Sequence, residues 1–347
     1  IGEASEAIAC LRCAVSLNPD NEIFWACFEA LLESFSFTSV DDNIWQELLQ
    51  LLERPVVRPS NVTRPIISAL HHQPQFAKVL EAAGRTEPSP GICYQEVSEQ
   101  LSSIPLFLRI IELSPIDDLE IERVLTRLRR ALLGEATTEK ATEKGLPFSA
   151  ALALQCFVNE YVFVESDEEI AAVEKIQQRI AKLLNERRDV PPHIVATLGA
   201  YRPLHGFPWA RELRERAWSG EIKEVIKRQM LEPLEEAALR DQIPHLTKLQ
   251  DTVSKAVREQ YEENPYPRWI KTGLGIKGMA VGDVLQGSPL GFDLGDYVSP
   301  EHPEILVAGC GTGQHVLNTA SRFSNARVLA VDLSLNSLSY ALRKTNE

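Results

Sequence analysis

The 347-residue chain has two methionines and six cysteines, aromatic residues make up only 7% of it, and no apolar run approaches the about 18 residues that a membrane-spanning helix needs. A signal-peptide pattern is also missing, so the chain reads as cytoplasmic, with no membrane partner. Cys10, Cys13, Cys27, Cys93, Cys156 and Cys310 are scattered. Cys10 and Cys13 form a C-x-x-C, but it lies in a helical pattern with no second pair and no preceding strand, which argues against a metal or redox motif. Cys10 and Cys13 read instead as buried helix-face thiols, and a reducing compartment suits all six cysteines. The histidines, His71, His72, His193, His205, His245, His302 and His315, show no ligand spacing, so no metal is predicted. Positive charge is short: 36 Lys and Arg stand against 49 Asp and Glu, a net charge of −13. The acidic excess lies in residues 1–258, and without a Lys/Arg stripe to meet phosphates no nucleic-acid partner is expected. The chain begins at Ile1 rather than methionine and reads as a piece of a longer protein.

What is present, first of all, is helical periodicity. Ile8, Leu11 and Val15, then Phe24, Phe28, Leu31 and Leu32, then Ile44, Leu48 and Leu52 recur at i, i+3/i+4 spacing, broken by Asn18, Pro19, Asp20 and Asn21. Leu119, Val124, Leu128 and Leu132 continue the rhythm, as do Ile170, Val173, Ile176, Ile180 and Leu183, and Ile222, Val225, Ile226 and Met230. Tyr161 to Val164 is ambiguous between strand and helix, and Gly134 to Gly145 reads as an exposed loop. The expected body is mainly α, an irregular helical array over residues 41–258.

The last 43 residues change character. A short apolar run, Ile305 to Ala308, meets Gly309, Gly311 and Gly313, and Val316, Leu317, Ala320 and Phe323 follow at helical spacing. A second run, Val328 to Val331, stops at Asp332, and Leu335, Leu338 and Leu342 resume the helical pattern. The order is βαβα. Glycines at a strand-to-helix turn let the backbone bend and let a ligand lie against main-chain N–H groups at a helix N-terminus. A carboxylate closing the second strand can accept hydrogen bonds from ribose hydroxyls. The dinucleotide fingerprint G-x-G-x-x-G would need a glycine where Gln314 stands, so a diphosphate-binding loop is disfavoured.

This segment resembles the first motifs of class I S-adenosylmethionine-dependent methyltransferases. The resemblance implies that the loop of Gly309, Cys310, Gly311, Thr312, Gly313 and Gln314 wraps the amino acid part of S-adenosylmethionine, and that Asp332, with Leu333 and Ser334, holds the ribose. Cys310 reads as a small loop residue. Many members carry an acidic residue where this chain has Val307, so that contact has no counterpart here.

Between helical body and glycine turn lies a strip with Tyr261, Asn264, Pro265, Tyr266, Pro267, Arg268 and Trp269. The prolines force Asn264 and Tyr266 into extended conformations. The strip resembles segments that precede the cofactor loop in some methyltransferases, which implies that Tyr261, Asn264, Tyr266, Arg268 and Trp269 form a lid or face substrate; docking of its aromatics on a core is the other reading. Residues 259–300 are read as linker and lid, with Ile270 to Pro300 mainly connection.

The opening residues are similar to the end of a tetratricopeptide-repeat array: Ala7 and Ala14 allow close helix approach, Leu17 closes the apolar face, and Asn18-Pro19 starts the next turn. The chain as a whole resembles bacterial proteins that join tetratricopeptide repeats (here 1–40), a helical region (41–258) and a class I methyltransferase domain (301–347). The resemblance implies a Rossmann-like α/β domain of seven strands, of which two are present, transfer of a methyl group to an unspecified acceptor, and recruitment of substrate or a protein partner by the helical part. A half-site of this kind is expected to bind cofactor weakly and not to turn over. The competing reading is a helical interaction scaffold without catalytic activity.

Overall fold

A computed structural model of the chain describes residues 2–84, 94–138, 143–218, 220–245, 262, 266–275, 277–288 and 290–347. The chain is mainly helical, at 63%, with one two-stranded parallel sheet among the described residues. It forms two compact units that are not contiguous in sequence: one unites residues 1–30, 53–58 and 235–347, the other residues 31–52 and 59–234.

The larger unit is built on apolar helix faces. The helix Leu146–Val158 is apolar but for Ser149 and Gln155, and Phe148 to Val158 are all buried; it packs against the helices Pro105–Leu113 and Pro192–Gly199. The helix Asp167–Asn185 starts on a capping box, with Ser166 Oγ accepting the Glu169 N–H at 3.3 Å and Glu169 Oε2 accepting the Ser166 N–H at 3.0 Å. Glu169 does more than cap. Its carboxylate also accepts Tyr201 OH at 2.7 Å and Arg130 at 2.9 and 3.0 Å. The fully buried Arg129 lies over the Tyr201 ring, 4.2 Å from its centroid, and donates to Val164 O at 3.0 Å. Burial works to raise the Glu169 pKa, but the bonds from the Ser166 N–H, Tyr201 and Arg130 outweigh it and hold the carboxyl below its ordinary value. Further along, a π-helical turn at Lys227–Leu231 carries the buried Gln229, whose amide donates to Ala153 O and Gly199 O at 3.0 and 2.9 Å.

Several expectations need correction here. Residues 134–138 are no loop: the helix Leu119–Thr138 runs through them because Leu132, Leu133 and Ala136 extend its buried stripe, while 139–142 lie outside the described residues. Tyr161 to Val164 is an irregular turn, not a strand, with Tyr161 at φ 56° and Phe163 buried beside Arg129. Cys10, Cys13 and Cys27 are exposed rather than buried in helix faces.

In the smaller unit, the helix Gly2–Leu17 turns at Asn18-Pro19 into the helix Glu22–Leu32. Trp25, fully buried, donates its indole N–H to Pro19 O at 2.7 Å and lies under the Arg54 guanidinium. Residues 53–58 join these helices to the C-terminal region: Glu29 accepts the Arg58 N–H at 2.9 Å, and Arg58 Nε donates to Thr272 O at 3.2 Å. The region from Ile270 to Pro300 is not only connection, since Val281–Gln286 is helical and Met279 pairs with Phe323.

The sheet lies in this unit. Strand β1 (Glu304–Ala308) pairs in parallel with β2 (Arg327–Val331), Leu306 opposite Leu329 and Val307 opposite Ala330. The helices Gln314–Arg322 and Leu335–Asn346 follow the strands in turn. Parallel strands are ordinarily covered on both faces, yet Leu306 and Leu329 are 63% and 60% exposed.

Candidate nucleoside-binding site

The turn after β1 needs its glycines for conformation. Gly309, Gly311 and Gly313 all have positive φ, at 69°, 52° and 82°, where a side chain is strained. They differ in what surrounds them. A Cβ on Gly309 or Gly311 would meet nothing within 4 Å, whereas one on Gly313 would lie 2.5 Å from Ala341 Cβ. The first two glycines thus border open space, and the third lets the loop press against the final helix.

Backbone bonds fix the turn's shape. The N–H groups of Gly309 and Cys310 both donate to Val331 O, at 2.8 and 3.1 Å, tying the loop to the end of β2, and the Gly313 N–H donates to Cys310 O at 3.0 Å. Gly313 caps the helix Gln314–Arg322. The leading amides of any helix have no intrahelical acceptor, and here they follow directly on the loop. Gln314 is the first helical residue and is half-buried.

Asp332 closes the site. Its Oδ2 accepts the Gly311 N–H at 2.8 Å and its Oδ1 accepts the Ser334 N–H at 2.9 Å. An ionised carboxylate has about four lone-pair positions, so both oxygens keep acceptor capacity after these bonds. Ser334 is fully buried and caps the helix Leu335–Asn346 through its Oγ, which accepts the Ser337 N–H at 3.0 Å. Leu333 between them is 42% exposed. Cys310 is buried, and burial together with the neighbouring Asp332 charge pushes its thiol up to about 11, which disfavours the nucleophilic thiolate.

The strip before the loop reaches the same place. Thr312 Oγ1 donates to Pro267 O at 2.8 Å, Trp269 Nε1 donates to Thr312 O at 3.0 Å, and Tyr340 OH donates to Trp269 O at 2.5 Å. Arg268 and Trp269 are buried, at 9% and 8% exposure, while Tyr266 is 56% exposed. The site residues read from the sequence thus come together in two groups, Gly311 with Asp332 and Thr312 with Trp269. Tyr261 and Asn264 lie outside the described residues. Three participants went unread. Glu262 accepts the Leu335 N–H at 2.5 Å through Oε1 and pairs with Arg240 at 3.1 Å; Tyr340 holds Trp269; and Lys344 donates to Ile270 O at 3.0 Å with its ammonium 5.2 Å from the Trp269 ring centroid. Only the acidic Glu262 carried a sequence signal, the affinity of a carboxylate for a helix N-terminus, and its partner helix begins 73 residues later.

Among the described residues no cluster of His, Cys, Asp and Glu could hold a metal ion, and no helix is long and apolar enough to cross a membrane. Comparison with known proteins finds no matching family model, no matching curated protein and no matching solved structure.

Proposed function

We propose that the βαβα segment binds the nucleoside part of S-adenosylmethionine and that the chain belongs to a protein transferring its methyl group to an acceptor. The observation that supports this most is the juxtaposition of Gly311 and Asp332: a positive-φ turn bordered by open space, with a carboxylate at the end of the next parallel strand bonded to it. The residues fit such a group, because the space beside Gly309 and Gly311 is what any side chain there would occupy. The element order, strand, helix, strand, helix with the two strands parallel, supports the Rossmann-like reading.

In this reading Asp332 accepts ribose hydroxyls while it keeps the Gly311 and Ser334 amides. The loop from Gly309 to Gly313 admits the ligand against its backbone. S-adenosylmethionine, when bound, supplies a methyl group on a sulfonium sulfur. The chain's own contribution is alignment, since methyl transfer by in-line displacement depends on holding donor and acceptor in one geometry. Cys310, buried and with its thiol pushed up to about 11, is given no chemical role in this reading.

Ligand-observed saturation-transfer NMR with S-adenosylhomocysteine tests this on the 347-residue chain. Adenosine protons receive saturation from the wild type and not from Asp332→Ala, and NAD added in equal amount does not displace the ligand. Displacement by NAD would favour a dinucleotide site instead.

A further inference from the structure

The strip that precedes the glycine loop is fastened to it from both sides. Thr312 sends its hydroxyl to Pro267 O and receives the Trp269 indole N–H on its own carbonyl, so one residue of the loop is bonded to two positions of the strip. On its far side the strip lies along the final helix: Glu262 sits at the N-terminus of Leu335–Asn346, Trp269 O accepts Tyr340 OH, and Ile270 O accepts Lys344 Nζ. Glu262 O also accepts the Asn336 side-chain amide. The Trp269 ring meets Tyr340 edge-on at 5.8 Å. The loop itself presses on that helix through Gly313 and Ala341. The glycine loop is therefore held between strip and helix, and the strip continues past it, Gly275 N–H donating to Ser321 Oγ at 3.2 Å and Met279 pairing beside Phe323.

We infer that the segment 266–270 is a fixed strap that positions the glycine loop, with Trp269 and Thr312 as its positioning residues, rather than a lid that opens and closes over a ligand. Two observations separate the alternatives. A mobile lid presents its aromatics to ligand or solvent; Tyr266 at the start of the segment is 56% exposed, but Trp269, the aromatic against the loop, is 8% exposed and spends its single donor on the loop backbone. A lid also needs few bonds to break on opening, whereas this segment makes four with the loop and the final helix, counting those of Thr312, Trp269 Nε1, Tyr340 and Lys344. The loop's own glycines give it freedom to adopt other conformations, and the strap removes that freedom before any ligand arrives, which lowers the ordering cost of binding. The consequence for cofactor binding rests on the site reading proposed above; the consequence for the loop does not.

Hydrogen exchange on the whole ligand-free chain tests the strap. Trp269→Phe keeps a ring against Tyr340 and Lys344 and deletes only the indole N–H; Thr312→Val deletes the hydroxyl and Thr312→Ser keeps it. The Gly311 and Gly313 amides should exchange about tenfold faster in Trp269→Phe and in Thr312→Val, the scale of one lost hydrogen bond. Those of residues 338–343 should be unchanged, and Thr312→Ser should stay within about twofold of wild type. Wild-type exchange at Gly311 and Gly313 in both deleting variants overturns the strap. If Trp269→Phe does not fold, the pair Thr312→Val and Thr312→Ser decides it alone. With S-adenosylhomocysteine as probe, Trp269→Phe should weaken binding by about the same factor. No binding by the wild type would remove the proposed function and leave the exchange result standing.

Discussion

Asp332 carries two loads in the ligand-free chain. Its two oxygens hold the amides of Gly311 and Ser334, so it shapes the loop before it can serve a ligand. Cys310 beside it shows how position sets reactivity: buried and next to that carboxylate, its thiol is pushed up to about 11, while Cys13 is exposed. Iodoacetamide labelling at pH 8 should therefore modify Cys310 roughly a hundredfold more slowly than Cys13, by peptide mass spectrometry, because the thiolate is the nucleophile. Equal rates would mean an open, charged Cys310.

In the larger unit Glu169 is the corresponding hub. Its folded-state pKa is depressed, so it contributes stability that is present above the unfolded carboxyl value of about 4.3 and is lost as pH falls through the lower folded value. Glu169→Gln should cost about 3 to 5 kcal/mol at pH 7, because Arg129 and Arg130 lose a buried partner. In urea unfolding, the difference between the two proteins should shrink as the pH falls below about 5. A difference that does not change with pH would exclude this role.

Among elements, the strand-turn-helix units were legible in the sequence because their signals are local. Ile305 to Ala308 and Val328 to Val331 are short β-rich runs, glycine supplies the turn, and the boundaries fall within a residue or two of β1 and β2. The helical rhythm of Val173, Ile176 and Ile180 was legible for the same reason, and all three are buried. Long-range pairing was not. Nothing near Trp269 announces Tyr340, 71 residues on, and nothing in residues 53–58 announces that they join the N-terminal helices to Thr272. The Thr-rich stretch after Gly134 misled because its polar residues hide a continuing stripe of Leu132, Leu133 and Ala136.

The three loop glycines give a graded test at this scale. Gly309→Ala meets open space and bears only the positive-φ cost, about 1 kcal/mol. Gly313→Ala adds a collision with Ala341 and should cost more, about 2 to 4 kcal/mol in urea unfolding. Equal costs would mean that Gly313 does not pack on the final helix.

For the molecule as a whole, helices supply most of the structure and a short parallel pair supplies the candidate chemistry. The smaller unit unites described residues of 1–30, 53–58 and 235–347, so the glycine loop belongs to the same unit as the chain's opening helix. The net charge of −13 works against phosphate contact as a general source of affinity, so the ligand binding proposed above rests on specific geometry, the loop and Asp332. The most direct test remains saturation transfer from the 347-residue chain to S-adenosylhomocysteine, with Asp332→Ala as the paired protein and circular dichroism to verify that both are folded. The account predicts transfer to the adenosine protons from the wild type and none from Asp332→Ala. Equal transfer from both proteins, or none from the wild type at millimolar ligand, would contradict it.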